Sequence, residues 1–182
     1  MKNTRRLTRC AALIALSLAL SWAERLIPLE FLIPLPGVKL GFANIVTLFA
    51  LVFLDKRSAF AILVCRCLLA GLLFGTGVSL LFSLCGGLAA FGIMALLLRF
   101  TPHRLTLYGV SVGGAAAHNA GQMLAAVLVL SPAVLSYLPL MLVFSVPCGL
   151  FTAFVALYLF PRLERLPFFA AFARETREKG TP

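Results

Sequence analysis

Six runs of apolar residues, separated by connections of which alternate ones are basic, take up most of this chain. They fall at 10–27, 41–54, 59–74, 79–98, 106–130 and 137–160. A helix that crosses a bilayer needs about 20 such residues, or about 17 to 25 with tilt. The runs therefore predict an all-α integral membrane protein, a compact bundle of six transmembrane helices. The second and third runs are short and are expected to tilt, to extend into their flanks or to re-enter, so that five or six crossings is the range and six the better count. Composition excludes a water-soluble fold. Of 182 residues, 62% are hydrophobic and 12% charged, with a mean hydropathy of +1.04, whereas a soluble domain carries roughly one quarter charged residues. A chain this size has too little polar surface to cover such a core in water. A cytosolic enzyme, a disordered tail and, despite a pI of about 10.2, a nucleic-acid binder are all excluded.

The cations report sidedness. Lys2, Arg5, Arg6 and Arg9 precede the first run, Lys56 and Arg57 join the second to the third, and Arg99 and Arg104 join the fourth to the fifth. Arg162, Arg165, Arg174, Arg177 and Lys179 follow the sixth. The other three connections hold only Arg25 and Lys39, balanced by Glu24 and Glu30, which are read as external. Basic loops on alternate connections put both termini in the cytoplasm under the positive-inside rule. The expected organisation is a six-helix domain over residues 1–160 in the cell membrane and a basic cytoplasmic tail over 161–182. Trp22, Tyr108, Tyr137 and Tyr158 stand near run ends, where amphipathic rings prefer the headgroup layer. The start also has the form of a signal peptide, with small residues at Ser21 and Ala23. Cleavage there would leave five crossings and basic ends on opposite sides, so the first run is expected to be retained.

Chemistry-bearing groups are few. Cys10, Cys65, Cys67, Cys85 and Cys148 are odd in number, lie in apolar runs and lack Cys-x-x-Cys spacing, so neither a disulfide framework nor a metal site is expected. Asp55 is the one aspartate, and paired carboxylates cannot be assembled. The sequence has no Walker motif, no His-Glu-x-x-His and no nucleophile elbow. No catalytic residue and no cofactor is expected.

Four features stand out. The first run carries Ala11, Ala15, Ala19 and Ala23, a strip of small side chains suited to close helix approach, either within the bundle or with another protein. Small residues recur as Gly113, Ala117 and Gly121 in the fifth run and as Gly86, Gly87 and Ala90 in the fourth. The segment from Arg25 to Gly41 is apolar but broken by Pro28, Pro34 and Pro36, so it must bend over the bundle. It ends in Lys39 and Asn44, either a turn with a snorkelling lysine or a lid over a ligand. Arg66 stands in mid-run, where a charge is costly and faces a cavity, a partner or the interior. His118, Asn119 and Gln122 form one helical patch, either interhelical hydrogen bonds or a pocket wall. The candidate ligand-binding set is Lys39, Asn44, Arg66, His118, Asn119 and Gln122, suited to an uncharged polar or anionic molecule.

Pro36-Gly-Val-Lys-Leu-Gly-Phe-Ala-Asn44, the third and fourth runs with Arg66, Gly71, Phe74-Gly75 and Ser83-Leu-Cys-Gly-Gly87, and His118-Asn-Ala-Gly-Gln122 resemble a bacterial family. It is described both as heptaprenyl diphosphate synthase component I and as Gx transporter, and the resemblance covers about residues 7 to 160. The family is grouped with the substrate-binding S components of energy-coupling factor (ECF) transporters. The resemblance implies a six-helix subunit that binds a vitamin or similar micronutrient from outside and joins a transmembrane coupling subunit and two ATPases. It implies that Ala11, Ala15 and Ala19 meet the coupling subunit and that the loop with Lys39 and Asn44 lids the pocket. The synthase description implies another role. Chain-elongating prenyl synthases hold diphosphate through magnesium on aspartate-rich motifs, and magnesium needs hard oxygen ligands. One aspartate cannot supply them, so under that description the chain is a non-catalytic membrane partner of a separate synthase subunit. A redox or quinone scaffold fits the composition but finds no haem-ligand pair or cysteine cluster.

Overall fold

The computed structural model describes residues 2–26, 41–100 and 106–165. The described chain is all-helical: α1 Lys2–Glu24, α2 Asn44–Phe53, α3 Lys56–Phe74, α4 Gly77–Phe100, α5 Leu107–Val129 and α6 Leu138–Arg165, with a 3₁₀ turn at Pro132–Tyr137 before α6. Four stretches are long and apolar enough to cross a membrane: Arg6–Glu24, Lys56–Phe74, Gly77–Phe100 and Pro132–Leu163. The third run, short by its apolar residues, gains a full span because the helix starts at Lys56. α5 has 23 residues but is less apolar, since His118, Asn119 and Gln122 lie on it, and it buries all three. The second run yields only the 10-residue α2, too short to cross alone. The tail from 166, the loop bearing Lys39 and Arg104 lie outside the described residues.

Local chemistry sets the helix ends. Asp55 caps α3 by accepting the Ser58 N–H at 3.1 Å, which satisfies one of the open donors of a first turn. Thr76 Oγ1 accepts the Ser79 N–H at 3.2 Å and starts α4, so α3 and α4 are joined by only Gly75 and Thr76. Ser131 caps the 3₁₀ turn, with Pro132 at its first position, where no N–H is missed.

α2 is the centre of the bundle. Asn44 through Ala50 are buried on every side, and α2 touches all five other helices. Around it pack Leu13, Ile62, Ala90, Met94, Val110 and Ala156. Phe49 meets Phe53 at 4.8 Å and Phe160 edge-on at 5.1 Å. α4, α5 and α6 pack closely through glycine: a Cβ on Gly121 would lie 2.5 Å from the Cys85 carbonyl oxygen, and one on Gly149 would lie 2.5 Å from Val112 Cα. Such backbone approach supplies the dispersion contacts that hold helices together where lipid removes the hydrophobic drive. The outer faces are apolar, with Leu72 80%, Leu128 76% and Val143 69% exposed. This surface needs hydrocarbon around it.

Polar chemistry at one end of α1 clasps it to α3. Arg6 Nη2 meets Asp55 Oδ1 at 2.5 Å and donates to Ser58 Oγ at 2.7 Å, while Ser58 Oγ donates to Asp55 Oδ1 at 2.9 Å. Partial burial pushes the Asp55 carboxyl up, but hydrogen bonds from Ser58 and the charge of Arg6 outweigh it and hold the group below its ordinary value. A carboxyl with a depressed folded pKa contributes stability above its unfolded pKa and loses it as pH falls through the folded one. Asp55→Asn should therefore lower the melting temperature of the detergent-purified protein slightly at neutral pH, with the gap closing below about pH 4. A gap that persists in acid would show that the clasp does not depend on the charged carboxylate.

Candidate functional site

The last turn of α1 brings Glu24 into the bundle, where its side chain is 3% exposed. Its Oε1 accepts the Gly41 N–H at 2.5 Å. Gly41 has φ +85°, a left-handed conformation that side chains disfavour. A Cβ there would also lie 2.8 Å from Asn44 Nδ2 and 3.1 Å from His118 Cδ2. From Gly41 the chain winds into α2 through bonds from the Asn44, Ile45 and Val46 N–H groups to the Gly41, Phe42 and Ala43 carbonyls at 2.8, 3.0 and 3.2 Å.

Asn44 opens α2 and accepts from Arg66 Nη2 at 3.2 Å. Arg66 comes from mid-α3 and is 5% exposed. Its Nε has no hydrogen-bond partner, an expensive state for a buried donor. His118 on α5 approaches from the other side, with its Nε2 3.0 Å from Gln122 Nε2 one turn on. Which of the two nitrogens donates depends on the imidazole tautomer. Gly86 on α4 makes room for this pair, since a Cβ there would lie 2.8 Å from Gln122 Cγ and 2.9 Å from His118 Nδ1.

Ser21, Glu24, Gly41, Arg66, Ser83 and His118, with Ala43, Cys67 and Ala70, line a small, partly open cavity of about 10 Å³. That is space for one water. Any larger guest must part the α1 end and the Gly41 turn from α3, α4 and α5. A second hollow, about 560 Å³ and open on the outside of α4 and α5, is lined by Ala89, Ile93, Gly113, Ala117 and Leu124. Its lining offers no polar side chain to orient a ligand.

The structure thus brings Asn44, Arg66 and His118 together, with Gln122 behind the imidazole. Asn119 goes elsewhere: its Nδ2 donates to the Met141 carbonyl on α6 at 2.7 Å. Lys39 lies outside the described residues. Glu24, which the sequence reading sets with Glu30 against Arg25 and Lys39 in the external connections, was not among the candidate site residues. It is buried, while Arg25 donates to the Phe74 carbonyl and lies 5.7 Å over that ring. The register was the available signal, because Glu24 continues the buried face of Leu13, Ser17 and Ser21 at helical spacing. Ala11, Ala15, Ala19 and Ala23 lie on the other side of α1, all exposed.

The model of the family described as heptaprenyl diphosphate synthase component I matches residues 13–159. The chain belongs to this family. No curated protein matches the chain, and no solved structure does. The family's matched stretch contains every lining residue of the polar cavity and runs through most of α6.

Asn119 and Arg66 of this family member give distinct tests. Asn119→Ala should cost about 1 kcal/mol of stability through the lost α5–α6 bond and leave any cavity-bound small molecule in place. Arg66→Met should leave the protein folded and release any small molecule held in the cavity. Thermal unfolding and mass spectrometry of copurified small molecules read both effects. Equal ligand loss in the two variants would move the site away from Arg66.

Proposed function

We propose that this protein is the substrate-binding membrane subunit of an uptake system for a vitamin-like small molecule, energised by separate coupling and ATPase subunits of the ECF type. The observation that carries the reading is the small cavity in which polar groups from α1, the Gly41 turn, α3, α4 and α5 converge inside an otherwise apolar bundle. Buried charges in a membrane protein are costly and mark ligand or ion sites by default. The alternative for most such groups is helix glue, yet Arg66 leaves its Nε unpartnered, which glue does not explain. The exposed alanine strip of α1 offers a second helix a close approach, as the coupling subunit of this reading requires. The chain itself performs no catalysis in this reading.

The family's description favours a second role, a membrane component of the heptaprenyl diphosphate synthase system. In that role the chain is a non-catalytic partner. Its one aspartate is engaged by Arg6 and Ser58 at the start of α3, far from an aspartate-rich diphosphate site in kind. Mass spectrometry of the detergent-purified protein separates the two: a stoichiometric water-soluble small molecule supports uptake, whereas a copurifying prenyl synthase subunit with lipid alone supports the partner role.

Docking and topology supply two further checks. Ala15→Leu should weaken association with a coupling subunit and leave small-molecule retention nearly intact, because added volume blocks close helix approach. Undiminished complex in a pull-down would count against the strip. The reading also takes both termini as cytoplasmic, as the basic loops predict, so single cysteines at 56 or 103 on a cysteine-free background should resist impermeant reagents added to intact cells. Labelling of either from outside would invert or break the topology.

A further inference from the structure

The outer face of α6 joins an apolar track to a cationic end, and we infer that this face binds an anionic phospholipid, its phosphate on Arg162 and Arg165 and an acyl chain along Tyr158, Phe154 and Phe151. These five residues follow one another at spacings of three and four, so they lie on one face of the helix. All five are exposed. From 151 to 162 the helix rises about 16 Å, close to the depth of one leaflet in a hydrocarbon layer about 30 Å thick. The apolar stretch that carries the track, Pro132–Leu163, ends at the arginines. With the rings in hydrocarbon, the two cations stand level with headgroups, and Tyr158 sits one turn inside, where an amphipathic ring is favoured.

The geometry of Arg162 selects the partner. Its Cζ lies 3.3 Å from the centre of the Tyr158 ring, a separation that only a guanidinium flat on the ring allows. One face of the cation is thereby spent on the aromatic ring, while the N–H groups along its edge remain for an acceptor. Among the described residues the one ion pair is Arg6 with Asp55, so no carboxylate there takes that edge. Phosphate oxygens match it in geometry and charge. An acidic soluble protein could reach the arginines but would leave the rings below them to lipid. A zwitterionic lipid brings the same phosphate together with an ammonium that the arginines repel. A phospholipid of net negative charge meets rings and cations at once, as basic groups at a helix end require.

Native mass spectrometry of the full-length protein, offered dioleoyl phosphatidylglycerol and dioleoyl phosphatidylcholine at equal concentration, tests the face. The wild type should retain phosphatidylglycerol over phosphatidylcholine by about tenfold. The double variant Arg162→Gln/Arg165→Gln keeps a polar helix end and should bring the two lipids level. Tyr158→Leu keeps the track apolar but removes the ring under Arg162, and should cut the preference by about threefold. As a control, Lys56→Gln/Arg57→Gln removes two exposed cations at the start of α3 and should leave the preference unchanged. Equal retention of both lipids by the wild type, or an unchanged preference in either α6 variant, overturns the assignment. So does a loss in the control as large as that in the arginine variant, which would make the preference a matter of overall charge rather than of this face. A dimer that the arginine variant dissolves, with no lipid retained, would give the face to a second copy of the chain and overturn it as well.

Discussion

A helix of 10 residues rises about 15 Å, half of a hydrocarbon layer about 30 Å thick. α2 therefore needs the rest of the bundle to dress its ends, and its burial from Asn44 to Ala50 makes that need strict. An unsatisfied backbone donor in such surroundings costs several kcal/mol. The N-terminal end is met by a tightened turn from Gly41 to Ala43, whose carbonyls accept the first three helical N–H groups, and by Glu24 on the Gly41 N–H. A carboxylate at that end also faces the positive pole of the helix. Arg66 then holds the side chain of Asn44. The polar cavity is thus the dressing of a short helix's end, and the same groups that make the helix possible are those a guest would meet.

Close packing on the other side answers a second constraint. α5 carries an imidazole and two amides through the bundle, and each needs a partner in place of water. Neighbours in sequence lie about 100° apart around a helix, so His118 and Asn119 face different neighbours here. His118 turns to Gln122 one turn away, and Asn119 turns to the Met141 carbonyl on α6. Glycine makes both possible: Gly86 leaves space for the imidazole and Gly121 lets α5 reach the backbone of α4. What reads as one polar patch along the chain is two structures, a pocket wall and an interhelical tie.

How far the residues declared this fold follows from the same physics. Apolar runs announce helices, and the small residues of α4 and α5 announce close contact, because both are local properties of composition and spacing. The shortness of α2 was visible in its run, and Arg66 was visible as a charge with no local excuse. Glu24 was hidden by its position, since an acid beside Arg25 at the end of a run looks like a solvated pair. Only the burial of the face Leu13, Ser17, Ser21 shows that the helix keeps its inward register to the last turn. Gly41 was hidden likewise, because a positive φ and an approach to His118 from a distant helix are tertiary facts.

α1 joins these observations. Its inner face ends in Glu24 at the cavity, its outer face is the exposed alanine strip, and its first turns are clasped to α3 through Arg6, Asp55 and Ser58. Opposite faces of one continuous 23-residue helix move together. On the proposed reading, a subunit that grips the alanines pulls on the rod that carries Glu24 and, through it, the Gly41 turn. Parting α1 from α2 at this point would open a water-sized cavity without breaking the glycine-packed contacts among α4, α5 and α6. The cavity lies on the boundary between the α1 end with the Gly41 turn and the glycine-packed helices α4 and α5.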